Sequence, residues 1–213
     1  MPNWCDNQLS ITGPNSVIDK IEKIVKAEDT HENTGLLNFF KPMPKELEGT
    51  TSPSSSADKP QPMVEGFDNW YDWRVENWGT KWELCEFYGV DRQHLNDSLD
   101  ESTISFAFSS AWAPPINAYE QFLADNENCS LKAYYYEGGC DFMGEWDNGS
   151  DDCYAPSDYK STDDFWQDGI GSTLDDIFNI TESMAEYEAE QEAEKEDVHE
   201  YTKGKAMNIG EEI

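Results

Sequence analysis

Asn77, Lys81 and Glu137 stand among tryptophans and tyrosines in the stretches NWGTKW and YYYEGG, an apolar setting that strengthens any polar contact they make. With Trp78 and Trp82, and with Asn3 and Asn7 near the start of the chain, they could line a pocket. Amides and an ammonium–carboxylate pair would there orient a small ligand or nucleotide over indole faces. The structural use of the same residues is simpler. Asparagines would bond backbone at strand ends, and Lys81 would pair with Glu137 to satisfy a buried charge. The sequence is compatible with both.

No other grouping has the spacing of a catalytic or metal centre. His31, His94 and His199 lie far apart in polar stretches. Asp147, Asn148, Asp151 and Asp152 in DNGSDD bring oxygen ligands together for calcium, yet the loop lacks the ligand spacing and terminal Glu of an EF-hand. The five cysteines, Cys5, Cys85, Cys129, Cys140 and Cys153, contain no CxxC pair. They fit neither a disulfide framework nor a zinc or iron–sulfur site, and read as buried free thiols in a reducing cytosol. No Ser or Cys has a recognisable base beside it, and GxSxG and phosphate-cradling glycine loops are missing. The expectation is a non-enzymatic chain with no cofactor and no metal.

What remains is charge. Forty-five acidic residues (45) against 14 basic ones give a formal net charge of -31. Nucleic-acid binders need clustered Lys or Arg to displace counterions, so direct DNA or RNA binding is not expected, whereas basic protein surfaces are attracted. The carboxylates concentrate late in the chain at Asp151, Asp152, Asp158, Asp163, Asp164, Asp168, Asp175, Asp176, Glu182 and Glu186, with Tyr159 and Trp166 interleaved. Such a run either keeps the chain soluble or imitates a nucleic-acid backbone, with carboxylates in place of phosphates and aromatic rings as anchors.

The elements that would position these groups follow from periodicity. Residues 3–12 alternate as a half-buried strand with Trp4, Leu9 and Ile11 on its apolar side, closed by Gly13 and Pro14. Val17, Ile18, Ile21, Ile24 and Val25 recur at helical spacing behind a cap at Asn15 or Ser16. Residues 45–66, rich in Ser, Thr and Pro, read as a mobile insertion loop. A tryptophan-rich helix over 68–77 follows, stopped by Gly79, with Trp70, Trp73 and Trp78 on adjoining faces. Residues 81–90 and 103–112 read as a strand pair, the second with Ile104, Phe106 and Phe108 inward. Pro114 and Pro115 then open a helix bearing Ile116, Tyr119, Phe122 and Leu123, and strands at 130–136 and 140–146 complete the domain. This order predicts an α+β fold, a ferredoxin-like split βαβ sandwich with helices on one face of an antiparallel sheet. It covers residues 1–149. Residues 150–213 form an acidic, aromatic-containing extension, in which a helix runs from about Leu174 towards Glu200.

Four of these stretches together resemble one family: MPNWCDNQLSITG, NWGTKW, FSSAWAPP and YYYEGGCDFMGEW. The chain is similar there to the YubB ferredoxin-like domain family, proteins of unknown biochemical role encoded in bacteriophages, plasmids and genomic islands. The matching residues are Asn3, Trp4, Cys5 and Asn7; Asn77 to Trp82; Ala111, Trp112, Pro114 and Pro115; and Glu137. The resemblance implies a ferredoxin-like fold and a mobile-element origin, and it implies no catalytic residue. It does not reach the acidic extension.

With no basic leader and nothing near the length of a membrane span, a soluble, cytoplasmic protein is expected. The leading expectation of function is a phage or mobile-element protein that binds and inhibits, or regulates, a basic host defence or nucleic-acid-processing protein through a DNA-mimic-like acidic surface. The alternative is a ligand- or nucleotide-sensing domain using the polar and tryptophan pocket around residues 77–82 and Glu137.

Overall fold

The computed structural model describes residues 3–27, 35–84, 86–96, 100–185 and 189. The chain divides into two compact units, Met1–Ala155 and Pro156–Ile213. The first opens with strand β1 (Trp4–Pro14), helix α1 (Asn15–Val25), the short helix α2 (Leu36–Phe40) and the tryptophan helix α3 (Trp70–Trp78). Then come strands β2 (Phe87–Asn96) and β3 (Glu101–Ala111), helix α4 (Ile116–Asp125), and strands β4 (Ser130–Glu137), β5 (Phe142–Asp147) and β6 (Ser150–Tyr154). The six strands form one antiparallel sheet in the order β2-β3-β1-β4-β5-β6. The chain is thus α+β, and its strand order is consistent with a ferredoxin-like class extended by β5 and β6.

Two-residue alternation decides which face carries the core. Leu9 and Ile11 of β1, Ile104, Phe106 and Phe108 of β3, and Leu131, Ala133 and Tyr135 of β4 are buried under α1 and α4. The opposite face stays polar, with hydroxyl pairs Ser10–Ser105 at 2.8 Å and Thr12–Thr103 at 2.7 Å across the strands. Trp4 corrects the sequence reading. It lies out of phase with Leu9 and Ile11, so the alternation that buries them turns it outward, and it is 48% exposed.

α3 forms where expected, because Asn69 accepts from the Asp72 amide at 2.9 Å to begin it and Gly79, at φ +85°, ends it. Trp73 and Trp78 are fully buried and meet edge to face at 5.8 Å. Between Trp70 and Trp78 lies the buried Arg74 guanidinium, 5.1 and 4.8 Å from the ring centroids. Residues 45–66 follow a defined path with 3-10 turns at Lys45–Leu47 and Ser54–Ser56. The Thr50 hydroxyl ties that path to α3 by accepting from the Trp70 amide at 2.9 Å.

The second strand begins later than its apolar residues suggest. Residues 81–84 pair with nothing in the sheet, because their side chains are engaged elsewhere. The Glu83 carboxylate accepts from the amides of Leu37 at 2.7 Å and Asn38 at 2.8 Å, which caps α2, and Leu84 is buried. Gly35 leaves room for that carboxylate: a Cβ there would lie 2.2 Å from the Glu83 side chain. Pairing of β2 starts at Phe87 and continues through Asn96, past the expected end at residue 90, with a register shift around Gly89 at φ +62°.

The second unit holds α5 (Thr162–Gln167) and α6 (Gly169–Phe178), capped by Ser161 and Asp168. The two helices approach closely at Gly171, whose added Cβ would fall 2.2 Å from the Phe165 carbonyl oxygen. The expected helix from Leu174 towards Glu200 therefore begins earlier, at Gly169, and is interrupted. Asn179 takes a left-handed conformation, φ 54° and ψ 46°, before helical residues 180–185 resume. The remainder of that stretch lies outside the described residues except for 189.

Candidate functional site

One end of the sheet gathers the four stretches that resembled a single family. β1 begins beside the end of β3, so Trp4 faces Ala111 and the Trp112 amide donates to the Asn3 carbonyl at 3.0 Å. The exit of α3 joins them, because the Thr80 hydroxyl donates to the Ala111 carbonyl at 2.8 Å. Ser110 closes the β3–α4 junction with a bond to the Ala113 carbonyl at 2.8 Å and accepts from the buried Asn7 amide at 2.9 Å. At the β4–β5 turn, the buried Glu137 accepts from the amides of Gly139 and Cys140, and Asn3 donates to the Cys140 sulfur at 3.3 Å. Most of the polar residues noticed in the sequence thus hold backbone segments together.

The expected ligand pocket does not assemble from its proposed members. Asn77 donates to the Trp73 carbonyl at 2.9 Å within α3, and Trp78 is buried with its indole N–H on the Lys41 carbonyl at 2.8 Å. Among the described residues no ion pair joins Lys81 to Glu137. Lys81 and Trp82 instead reach the surface. The Lys81 ammonium sits between two indoles, 4.0 Å from the Trp82 ring centroid and 3.9 Å from that of Trp112. Trp4 packs against Trp82 with ring centroids 5.8 Å apart, and Tyr71 and Trp112 meet edge to face at 6.4 Å. Trp112 is 41% exposed although it carries a left-handed backbone, φ +74°. Sequence reasoning passed over Trp112 and Trp4 as site residues. The available signal was a tryptophan between Ala111 and the prolines, where a strand ends and a helix start is forced.

Titratable groups in the first unit are shifted by burial at some positions and by hydrogen bonds at others. The Glu83 carboxyl is pushed up to about 7 by desolvation, opposed by its amide donors and by Arg74. Burial also raises the Cys5 thiol and the Tyr119 phenol. The exposed Cys140 thiol is raised by its hydrogen bond with Glu137. A thiol held protonated is a poor nucleophile.

Among the described residues no group of three or more His, Cys, Asp or Glu side chains is placed to hold a metal ion. In the DNGSDD turn, Asn148 accepts from the Leu131 amide at 2.8 Å and Asp151 accepts from the Tyr135 hydroxyl at 2.7 Å, so these oxygens serve the sheet. His94 lies beside the Ser102 hydroxyl at 3.0 Å. His31, His199 and Cys85 lie outside the described residues.

The acidic residues fall into two sets, one in each unit. In the first, β6 is an edge strand with all five residues exposed, Asp151 and Asp152 among them, which blunts an edge open to pairing. In the second, Asp158, Asp163, Asp164, Asp176 and Glu182 are exposed and Trp166 is 51% exposed. Two expected members serve the fold instead. Asp168 accepts from Tyr159 at 2.9 Å and caps α6, and the buried Asp175 accepts from the amide and hydroxyl of Thr181 at 2.7 and 3.0 Å. Glu186 lies outside the described residues.

No family model matches the sequence, and no curated protein matches it. Among solved structures the chain is similar to the crystal structure of protein api92 from Yersinia pseudotuberculosis, described with the family model DUF1281. The identity is 12%, the TM-score 0.41, and the likeness covers 75% of this chain and 96% of that one. A likeness at that level fixes neither the fold nor a role. No helix among the described residues is long and apolar enough to cross a membrane.

Proposed function

We propose that this chain is a non-enzymatic binding protein of the ferredoxin-like class, carried by a phage or another mobile element. It acts in the host cytoplasm by docking on a basic protein of host defence or nucleic-acid processing and inhibiting or regulating it. The observation that supports this reading most is the charge imbalance in the second unit. From Pro156 to Ala185 the chain carries Asp158, Asp163, Asp164, Asp168, Asp175, Asp176 and Glu182 against Lys160 as the sole Lys or Arg. Five of those carboxylates are exposed, and so is half of the Trp166 indole. Carboxylates that lack cationic neighbours steer a basic partner, and a protruding indole supplies an anchor that water does not compete for. The same surface would present to that partner a charge pattern like that of a nucleic-acid backbone, which is why no nucleic acid is expected to bind the chain itself.

The test is affinity isolation from host extract with the full chain and with a version bearing Asp158→Asn, Asp163→Asn, Asp164→Asn, Asp176→Asn and Glu182→Gln. The reading expects a basic protein retained by the first in low salt, released in high salt, and absent from the second. Equal retention by both chains contradicts it. The alternative of a ligand-sensing pocket loses support because Asn77, Trp78 and Glu137 are each committed to backbone hydrogen bonds.

A further inference from the structure

Lys81 is a cation that the fold pins without neutralising. Lys26 pairs with Glu22 at 2.6 Å, Arg92 with Asp19 and Glu22 at 2.7 Å, and Lys132 with Glu145 at 3.0 Å. Among the described residues Lys81 has no carboxylate partner, in a chain with 45 of them. Two indole faces hold its ammonium at 4.0 and 3.9 Å, so its position is set before anything binds.

The backbone around it is built to keep an indole there. Trp112 sits at φ +74°, a conformation that glycine adopts at no cost and that a bulky residue resists. It is retained because bonds fix the chain on both sides: Thr80 to the Ala111 carbonyl, the Trp112 amide to Asn3, and Ser110 to the Ala113 carbonyl. Burial does not account for the tryptophan, since 41% of it faces solvent, as does 48% of Trp4, which packs against Trp82. Exposed tryptophans around a preset charge are the composition of a binding hot spot.

We propose that Lys81, Trp82, Trp112 and Trp4 form a docking surface for a peptide segment of a partner protein that carries a carboxylate beside an aromatic or aliphatic side chain. The carboxylate meets the Lys81 ammonium and the neighbouring side chain covers the indoles. Asp6, the next residue along the exposed face of β1 from Trp4, has its carboxylate bonded by the Ser109 hydroxyl at 2.8 Å, and charges beyond about 8 Å are screened at physiological salt. The surface draws only on residues of the first unit, so either assignment stands or falls alone.

The test follows the indole N–H resonances of the full chain, labelled with nitrogen-15 at tryptophan, during titration with acetyl-Phe-Glu-Phe-amide and acetyl-Phe-Gln-Phe-amide. The Glu peptide shifts the Trp82 and Trp112 signals and binds about five-fold more tightly than the Gln peptide, the scale of one exposed ion pair. Lys81→Met removes that preference while keeping the stem against the rings. Trp112→Gly keeps the unfolding midpoint of the parent, since glycine suits the left-handed backbone, and loses the response to both peptides. Equal affinity for the two peptides overturns the proposal, as does a response unchanged in Lys81→Met. So does binding of adenosine monophosphate at these indoles with neither peptide bound.

Discussion

Replacing Glu83 with Gln should change how stability depends on pH more than it changes stability itself. The Glu83 carboxyl end is enclosed against α2, where it accepts from the Leu37, Asn38 and Leu84 amides at 2.7, 2.8 and 3.0 Å. Desolvation outweighs these donors and raises the group from 4.5 to about 7. Between those values the folded chain holds a proton that the unfolded chain has released, so stability falls as pH rises through this window. The loss is complete above about pH 7 and absent below about pH 4.5. At about 1.4 kcal/mol per tenfold change in proton affinity, the interval corresponds to about 3 kcal/mol. Every other carboxylate also contributes to the pH profile, so the informative quantity is the difference between the parent and Glu83→Gln. Urea unfolding followed by tryptophan fluorescence at pH 5, 6, 7 and 8 supplies it. The parent should lose about 2 to 3 kcal/mol more than the variant from pH 5 to 8, and Gln, which still accepts from an amide, should leave α2 capped. Parallel profiles would refute the reasoning and mean that the amide donors, not desolvation, govern this carboxylate.

Three further substitutions probe the packing. Gly144→Ala should cost about 1 to 3 kcal/mol in chemical unfolding, since its Cβ would lie 2.3 Å from the Tyr135 hydroxyl and 2.5 Å from the Asp152 carbonyl oxygen, where β5 lets Tyr135 reach Asp151. Tyr135→Phe removes the 2.7 Å bond to Asp151 together with the hydroxyl's contact to Cys153 and should cost about 1 kcal/mol by the same measurement. Asn179→Ala, at a left-handed position between helical segments, should lower the thermal midpoint read by far-ultraviolet circular dichroism by about 1 kcal/mol equivalent, and Asn179→Gly should restore it.

Much of the first unit was legible because its signals are local. Alternation marked β1, β3 and β4, the three-and-four spacing of Ile18, Ile21 and Val25 marked α1, and Gly79 marked the end of α3. β2 was displaced because Glu83 is committed to a helix 45 residues away in sequence, and no local pattern records such a partner. Trp4 was placed on the wrong face because apolar identity outweighed its phase; the strand turns it to solvent whatever its chemistry. In the second unit, Asp175 looked like one more surface carboxylate until Thr181 folded back on it. The site shows the same division. NWGTKW stood out as a polar and tryptophan cluster and FSSAWAPP only as a motif of the resemblance, and that Lys81 lies against both Trp82 and Trp112 depends on the Thr80 bond to Ala111, which joins segments 31 residues apart.

The account rests on attraction between the exposed carboxylates of the second unit and a positively charged protein. The direct measurement is the dissociation constant of the isolated partner from the full chain as a function of sodium chloride, with the five-carboxylate variant alongside. Screening lengths shrink from about 10 Å at 0.1 M salt to about 3 Å at 1 M, so affinity of the parent chain should weaken more than tenfold over that range while the variant starts weak and changes little. A parent chain whose affinity ignores salt, or a variant that matches it at every concentration, would contradict the account.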